Sequence, residues 1–206
     1  MRDREMLLAT HSRHKLTELR DLLDLPGVRY VSPDDAGIAD EPEEDARTFR
    51  GNAMLKARYY AARSGMPTLA DDSGLEVDAL DGGPGVRTKR FAGPEATDTE
   101  NNTLLLRRLE GLPPAERGAR YRCVLVFLDG PEAAPLVRSG SFPGRIAIGP
   151  RGSGGFGYDP IFEPRDEDPG GRTVGQLTAA EKGRLSHRGK AARAMSRALR
   201  ERGWAG

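Results

Sequence analysis

The chain has 206 residues, 31% of them charged, and its 32 Lys and Arg offset 31 Asp and Glu to a formal net charge of +1. That length suits one sizeable α/β domain, or a domain with a small lobe, and the near-zero charge advertises neither a nucleic acid nor a membrane partner. The lone Cys123 excludes a disulfide framework or a thiolate metal cluster within the chain, and reads as a buried thiol in mid-strand. No apolar run approaches the ~18 residues needed to span a bilayer. Residues 1–5, Met1-Arg2-Asp3-Arg4-Glu5, have no apolar signal core behind them. The expectation is a cytoplasmic protein. Charge is unevenly placed: positions 40–45 hold five acids in six residues, whereas 182–202 is dominated by Lys, Arg and His. Such a pairing suits a metal and a polyanion better than a duplex.

Residues 6–10 read as a buried first strand, and Ser12 stands where it would cap a helix with Leu16, Leu19 and Leu23 at spacings of three and four. This strand–turn–helix puts backbone N–H groups and Lys15 at a helix N-terminus, a ready anion site, although many α/β units carry the pattern without a ligand. A short strand at 28–31 and the acidic loop at 40–45 precede a helix capped near Thr48 and ended by Gly65. Its apolar stripe is Phe49, Ala53, Ala57, Tyr60 and Ala61; Asn52, Lys56, Tyr59 and Arg63 share another face. Those polar groups are solvated unless a cleft lies opposite.

A short apolar run, 67–70, then ends in Asp71-Asp72-Ser73-Gly74 before a second apolar run. This reads as a strand whose end delivers an acid and then turns sharply, or as a polar turn between two strands. Side chains alternate along a strand, so one of the two aspartates faces a given site and its neighbour faces away. A Gly-rich turn at 81–85 leads to Arg87, Lys89 and Arg90; a helix is expected at 98–109, a central strand at 121–128, and two antiparallel strands at 136–142 and 144–148.

Residues 152–157 fit the dinucleotide string G-x-G-x-x-G, but Pro160 and the run Ile161-Phe162 follow where that fingerprint requires a helix. A flexible loop is the better reading, approaching a ligand closely and offering Phe156 and Tyr158 as flat faces for a base; the alternative tucks both rings into the core. Ser186 caps a last helix and sets His187 and Arg188 in its first turn, where positive charge opposes the helix dipole unless an anion binds.

Taken in order, Leu8-Ala9-Thr10, Lys15, Glu18-Leu19, Thr48-Phe49, Asn52-Ala53, Lys56-Ala57, Ala70-Asp71-Asp72-Ser73-Gly74-Leu75, Pro84-Gly85 with Arg90, Gly155-Phe156-Gly157-Tyr158-Asp159-Pro160, Glu181-Lys182 and Ser186-His187-Arg188 cover nearly the whole chain. Together they resemble the noncanonical purine nucleoside triphosphate pyrophosphatases, the inosine triphosphate pyrophosphatase or Ham1/RdgB-like family. The resemblance implies an α/β fold in one domain over 1–206: a long twisted mixed sheet flanked by helices, two lobes and a central substrate cleft, in a homodimer. It implies Mg²⁺-dependent hydrolysis of ITP, dITP and XTP to monophosphate and pyrophosphate, with no nucleic-acid or membrane partner. By that resemblance Asp72 is the proton acceptor and a metal ligand, and Glu44 assists the metal. Thr10, His11, Ser12, Arg13, His14, Lys15, Asn52, Lys56, Ser73, Arg90 and Lys182 bind triphosphate, while Phe156, Gly157, Tyr158 and Asp159 with His187 and Arg188 hold the base.

The residue chemistry agrees, since Mg²⁺ prefers one or two carboxylates plus phosphate oxygens, and Lys and Arg neutralise the remaining charge. The chain departs from the family at Thr10-His11-Ser12, which usually reads Thr-Gly-Asn, at Ala46, usually Gly, and at Gln176, usually Glu. A same-fold enzyme for other modified nucleotides, and a nucleotide-binding regulator without chemistry, are the competing readings.

Overall fold

A computed structural model describes residues 4–165 and 171–204; positions 1–3 of the opening segment discussed above lie outside them. The strands are β1 (Arg4–Leu8), β2 (Val28–Val31), β3 (Thr68–Val77), β4 (Gly118–Leu128), β5 (Leu136–Ile146) and β6 (Phe162–Pro164). The helices are α1 (Arg13–Leu22), α2 (Phe49–Ser64), α3 (Asp98–Arg108), α4 (Ala179–Leu185) and α5 (His187–Glu201). The sheet runs β2-β1-β3-β4-β5-β6. It is mixed, because β1 is parallel to β2 and β3 while β5 and β6 are antiparallel.

Contacts divide the chain into two compact units. The first draws on Met1–Asp72, Cys123–Gly140 and Arg188–Gly206. Its core gathers Met6, Leu8, Leu19, Leu69, Cys123, Leu125, Phe127, Met195 and Leu199. Trp204 closes this core edge-on against Phe127 (4.9 Å between ring centres), with the Arg4 guanidinium over its other side. The second unit, Ser73–Arg122 and Ser141–His187, packs Leu75, Val77, Leu105, Phe142, Ile146, Tyr158, Ile161 and Phe162. Among the described residues no helix is long and apolar enough to cross a membrane.

Local chemistry explains α2 well. The Thr48 hydroxyl accepts from the Gly51 N–H, starting the helix, and Gly65 ends it at φ 67, a left-handed conformation that costs glycine little. Two expectations are corrected, and one further helix appears. The Asp-Asp-Ser-Gly stretch neither ends a strand nor turns: β3, set between β1 and β4 in the sheet, runs through it, strand context overriding the local turn preference. The two strands expected at 136–142 and 144–148 are one, β5. Gly144 lets β6 pair closely with it, since a Cβ there would meet the Glu163 carbonyl oxygen at 2.3 Å and the Phe162 ring at 2.5 Å. Residues 179–185 form the short helix α4, started by a capping box in which the Thr178 hydroxyl accepts from Glu181 N–H and Glu181 accepts from Thr178 N–H.

Candidate active site

Asp71 and Asp72 are consecutive on β3, so their carboxyl groups leave opposite faces of the strand. Asp71 is 1% exposed and meets two cations: Lys15 Nζ of α1 at 2.8 Å from Oδ1, and the Arg188 guanidinium of α5, whose Nη2 lies 3.2 Å from Oδ2. Arg188 also pairs with Glu18, one turn beyond Lys15 on α1. Burial alone would raise the Asp71 pKa, but the charges of Lys15, Arg188 and Lys56 outweigh it and hold the carboxyl well below the usual carboxylate range. Cys123 lies 4.0 Å from Asp71 Oδ2; burial, then the Asp71 charge, pushes its thiol up to about 12, so it stays protonated.

Asp72 has a different environment. Its Oδ1 meets Lys56 Nζ of α2 at 3.3 Å, and the same ammonium lies 3.1 Å from Glu44 Oε1 of the acidic loop. Asp72 Oδ2 is buried and has no hydrogen-bond partner among the described residues. Burial pushes the Asp72 carboxyl up to about 6; Lys56 and Lys15 oppose the rise, and the Glu44 and Asp71 charges reinforce it. Lys56 is itself held above its ordinary pKa: burial works against its charge, but Asp72, Asp71 and Glu44 prevail.

Asn52, four residues before Lys56 and therefore on the same face of α2, is fully buried. Its Oδ1 accepts from the Ala46 N–H at 2.9 Å, which ties the acidic loop to the helix, while its Nδ2 is buried without a hydrogen-bond partner among the described residues. The Ala46 methyl packs against Gly51, where any Cβ would approach it to 2.7 Å, so position 51 needs glycine.

A divalent cation can be tested against these groups. Among the described residues there is no cluster of three or more His, Cys, Asp or Glu side chains arranged to hold a metal. Two carboxylates, Asp72 and Glu44, do converge on one ammonium, and the unpartnered Asp72 Oδ2 is an all-oxygen donor with spare valence. That set fits a hard cation completing its shell with water and phosphate oxygens, the arrangement Mg²⁺ favours over an all-protein cage. The unpartnered Asn52 Nδ2 offers a donor to an anion in the same unit.

At the start of α1, Ser12 occupies the cap position without a side-chain cap, and its N–H donates to Thr10 Oγ1 at 3.2 Å. His11 Nδ1 lies 2.9 Å from Asp34 Oδ1, and its ring is 6.1 Å from Tyr60. Arg13 and His14 are exposed on the first turn.

A second cluster lies wholly in the second unit. The Asp159 carboxylate, 3% exposed, receives Lys182 Nζ at 2.7 Å and the Phe156 N–H at 2.9 Å on Oδ2, and the Tyr121 hydroxyl at 3.3 Å on Oδ1. Gly155 must be glycine: φ is +75, and a Cβ there would meet the Asp159 carboxylate at 2.0 Å. The Lys182 ammonium lies over the Phe156 ring, 4.4 Å from its centre. His187 stacks on Tyr121 with ring centres 4.7 Å apart and planes 6° from parallel. From α3, Asp98 accepts from the Gly157 N–H at 2.6 Å and Asn102 Nδ2 donates to the Gly157 carbonyl at 3.0 Å.

The expected site residues therefore fall into two groups. Glu44, Asn52, Lys56, Asp72, Lys15 and Arg188 belong to the first unit, with Thr10, His11, Ser12, Arg13 and His14. Ser73, Arg90, Phe156, Gly157, Tyr158, Asp159, Lys182 and His187 belong to the second. Tyr158 takes the core position rather than the open face: it is 2% exposed, and its hydroxyl donates to the Thr88 carbonyl at 2.9 Å. His187 and Arg188, adjacent in sequence, pack in different clusters. Sequence reasoning did not single out Tyr121, which sits in an apolar strand run and carries no outward signal. Asp98 and Asn102 were missed as well, although their i,i+4 spacing at the start of a helix is a legible polar pair.

The model of the Ham1 family matches residues 6–198. The dITP/XTP pyrophosphatase of Shigella flexneri is 47% identical over 95% of this chain and 98% of its own length. That of Methylococcus capsulatus is 45% identical over 96% of each. Among solved structures, a HAM1 protein from Coxiella burnetii superposes with a TM-score of 0.87 at 40% identity, covering 96% of this chain and 99% of its own. A nucleoside-triphosphatase, dITP/XTP pyrophosphatase, from Mycobacterium abscessus gives a TM-score of 0.75 at 41% identity, covering 93% and 98%.

Proposed function

The chain belongs to the Ham1 family, and from that premise we propose that it hydrolyses noncanonical purine nucleoside triphosphates, dITP, ITP and XTP, to the monophosphate and pyrophosphate. The observation that carries the mechanism is the divergence of two neighbouring carboxyls. Asp71 is held ionised by Lys15 and Arg188, whereas Asp72 is pushed up to about 6 and keeps an unpartnered oxygen. The unpartnered oxygen is the one placed to accept a proton from water.

Asp72 takes a proton from water as the water oxygen bonds to the α-phosphorus. The bond from that phosphorus to the oxygen bridging to the β-phosphate breaks, and pyrophosphate leaves with the bond's electron pair. Lys56 and Lys15, both already beside the carboxylates, neutralise charge that builds on the phosphates, and Asn52 Nδ2 donates to a phosphate oxygen. Glu44 and Asp72 would hold Mg²⁺, whose charge offsets that of the triphosphate when bound. By the family resemblance Thr10 to Lys15, Ser73, Arg90 and Lys182 complete the phosphate set and the Phe156 to Asp159 loop with His187 recognises the base, whereas Arg188, which the resemblance also assigns to the base, is buried against Asp71 and Glu18. A 6-oxo purine presents an acceptor where adenine presents a donor, so N–H and cationic donors select it. The chain works as one catalytic domain in a cytoplasmic homodimer, without nucleic-acid or membrane partners; the family resemblance supports the dimer, and the near-zero net charge and the lone cysteine support the rest.

Release of pyrophosphate, rather than orthophosphate, from ITP and XTP but not from ATP or GTP tests the reading. Release of orthophosphate, or equal turnover of ATP, contradicts it.

A further inference from the structure

Tyr121 touches both parts of the second cluster. It projects from β4 and is buried, its ring lying flat on His187 at 4.7 Å and tilted against Phe162 at 4.7 Å, while its hydroxyl donates to Asp159 Oδ1 at 3.3 Å. Packing alone would be served by phenylalanine; the hydroxyl has the added task of meeting the carboxylate. Burial, then the Asp159 charge, raises the Tyr121 pKa well above its ordinary value, so the hydroxyl stays protonated and donates. Asp159 in turn receives Lys182 Nζ and the Phe156 N–H, and Lys182 lies over the Phe156 ring. A shift of the carboxylate would therefore move the ammonium and the aromatic face together.

We propose that Tyr121 is a positioning residue for purine recognition, its hydroxyl setting the orientation of Asp159, and through it of Lys182 and Phe156, while its ring seats His187. The proposal rests on the reading above only in taking this cluster as the purine site. It separates two roles: Asp159, its carboxylate drawn inward by three donors, shapes the loop, and the aromatic ring of Phe156 meets the base, the Gly157 N–H and carbonyl being bonded to Asp98 and Asn102.

The test compares wild type with Tyr121→Phe and Tyr121→Met in the full chain, by ITP turnover with Mg²⁺ and by calorimetric ITP binding in EDTA. Tyr121→Phe keeps the stack and loses the donor; KM and Kd for ITP are expected to rise about fivefold, with kcat within about twofold of wild type. Tyr121→Met also removes the flat partner of His187 and is expected to raise both by roughly a further fivefold. Unchanged KM and Kd, whether or not the melting temperature falls, overturn the proposal, as does a loss confined to kcat. Wild-type protein that binds ITP without hydrolysing it contradicts the catalytic reading alone, and the Kd comparison still decides this one. Wild-type protein that does not bind ITP overturns both.

Discussion

The two faces of β3 carry the same side chain into different surroundings. On one face Asp71 has Lys15 and Arg188 on its oxygens, and Glu18 takes a further share of the arginine. The charges are matched and buried. On the other face Asp72 shares a single ammonium, Lys56, with Glu44, and one of its oxygens is left unpartnered. On the mechanism proposed above, a buried carboxylate becomes reactive by being under-supplied with donors. Full pairing makes a structural element of the same group.

Removing each charge in turn should separate the faces. Asp72→Asn should lower kcat for ITP by about a thousandfold, the scale of a lost general base, and leave the melting temperature unchanged or higher. Asp71→Asn should do the reverse in kind. Stripping the anion from buried Arg188 and half-buried Lys15 should cost roughly 3 kcal/mol in urea unfolding. Equal stability losses in both variants would erase the distinction.

The pH dependence of stability sharpens it further. The folded Asp72 carboxyl titrates at about 6 against an ordinary 3.8, so its protonated form favours the fold. That contribution is fully present below the lower value and is lost as pH rises through the upper one. Melting of metal-free wild type measured against Asp72→Asn should show this decline only in wild type. Asp71 has the opposite sign, with a folded pKa below the ordinary value, so its contribution is present above that value and is lost on acidification.

Glu44→Gln leaves Lys56 and Asp72 in place and removes one metal-fitting carboxylate. It should raise the Mg²⁺ concentration for half-maximal activity by roughly tenfold or more, measured by titration of the EDTA-treated protein. The smallest effect is expected at Thr48→Ala, which removes the cap of the helix carrying Asn52 and Lys56 and should cost about 1 kcal/mol in unfolding while sparing kcat.

Much of this was legible in the chain. Thr48, Gly65 and the apolar stripe between them define α2 because capping and periodicity act locally, and the same spacing sets Asn52 and Lys56 on one face. Alternation along a strand already required Asp71 and Asp72 to part. What the sequence did not disclose was decided by distant partners. Asp-Ser-Gly prefers a turn in isolation, and strand context between β1 and β4 carries β3 through it. Gln176, where the family usually has Glu, still accepts from the Thr173 N–H at 3.0 Å, so the neutral amide serves as a cap as well as a carboxylate would. Ser12 holds a cap position without making the cap bond, and Tyr158 reads as a base platform yet anchors in the core through Thr88. The pairing of Arg188 with Glu18 spans nearly the whole chain, and no local signal announces it.

The most direct test is single-turnover pyrophosphate release from ITP by wild type, Asp71→Asn and Asp72→Asn, each assayed at a temperature where it is folded. The account predicts that Asp71→Asn retains most of the wild-type rate and that Asp72→Asn loses about three orders of magnitude. A folded Asp72→Asn protein that releases pyrophosphate at the wild-type rate would show that the under-supplied carboxylate is not the base.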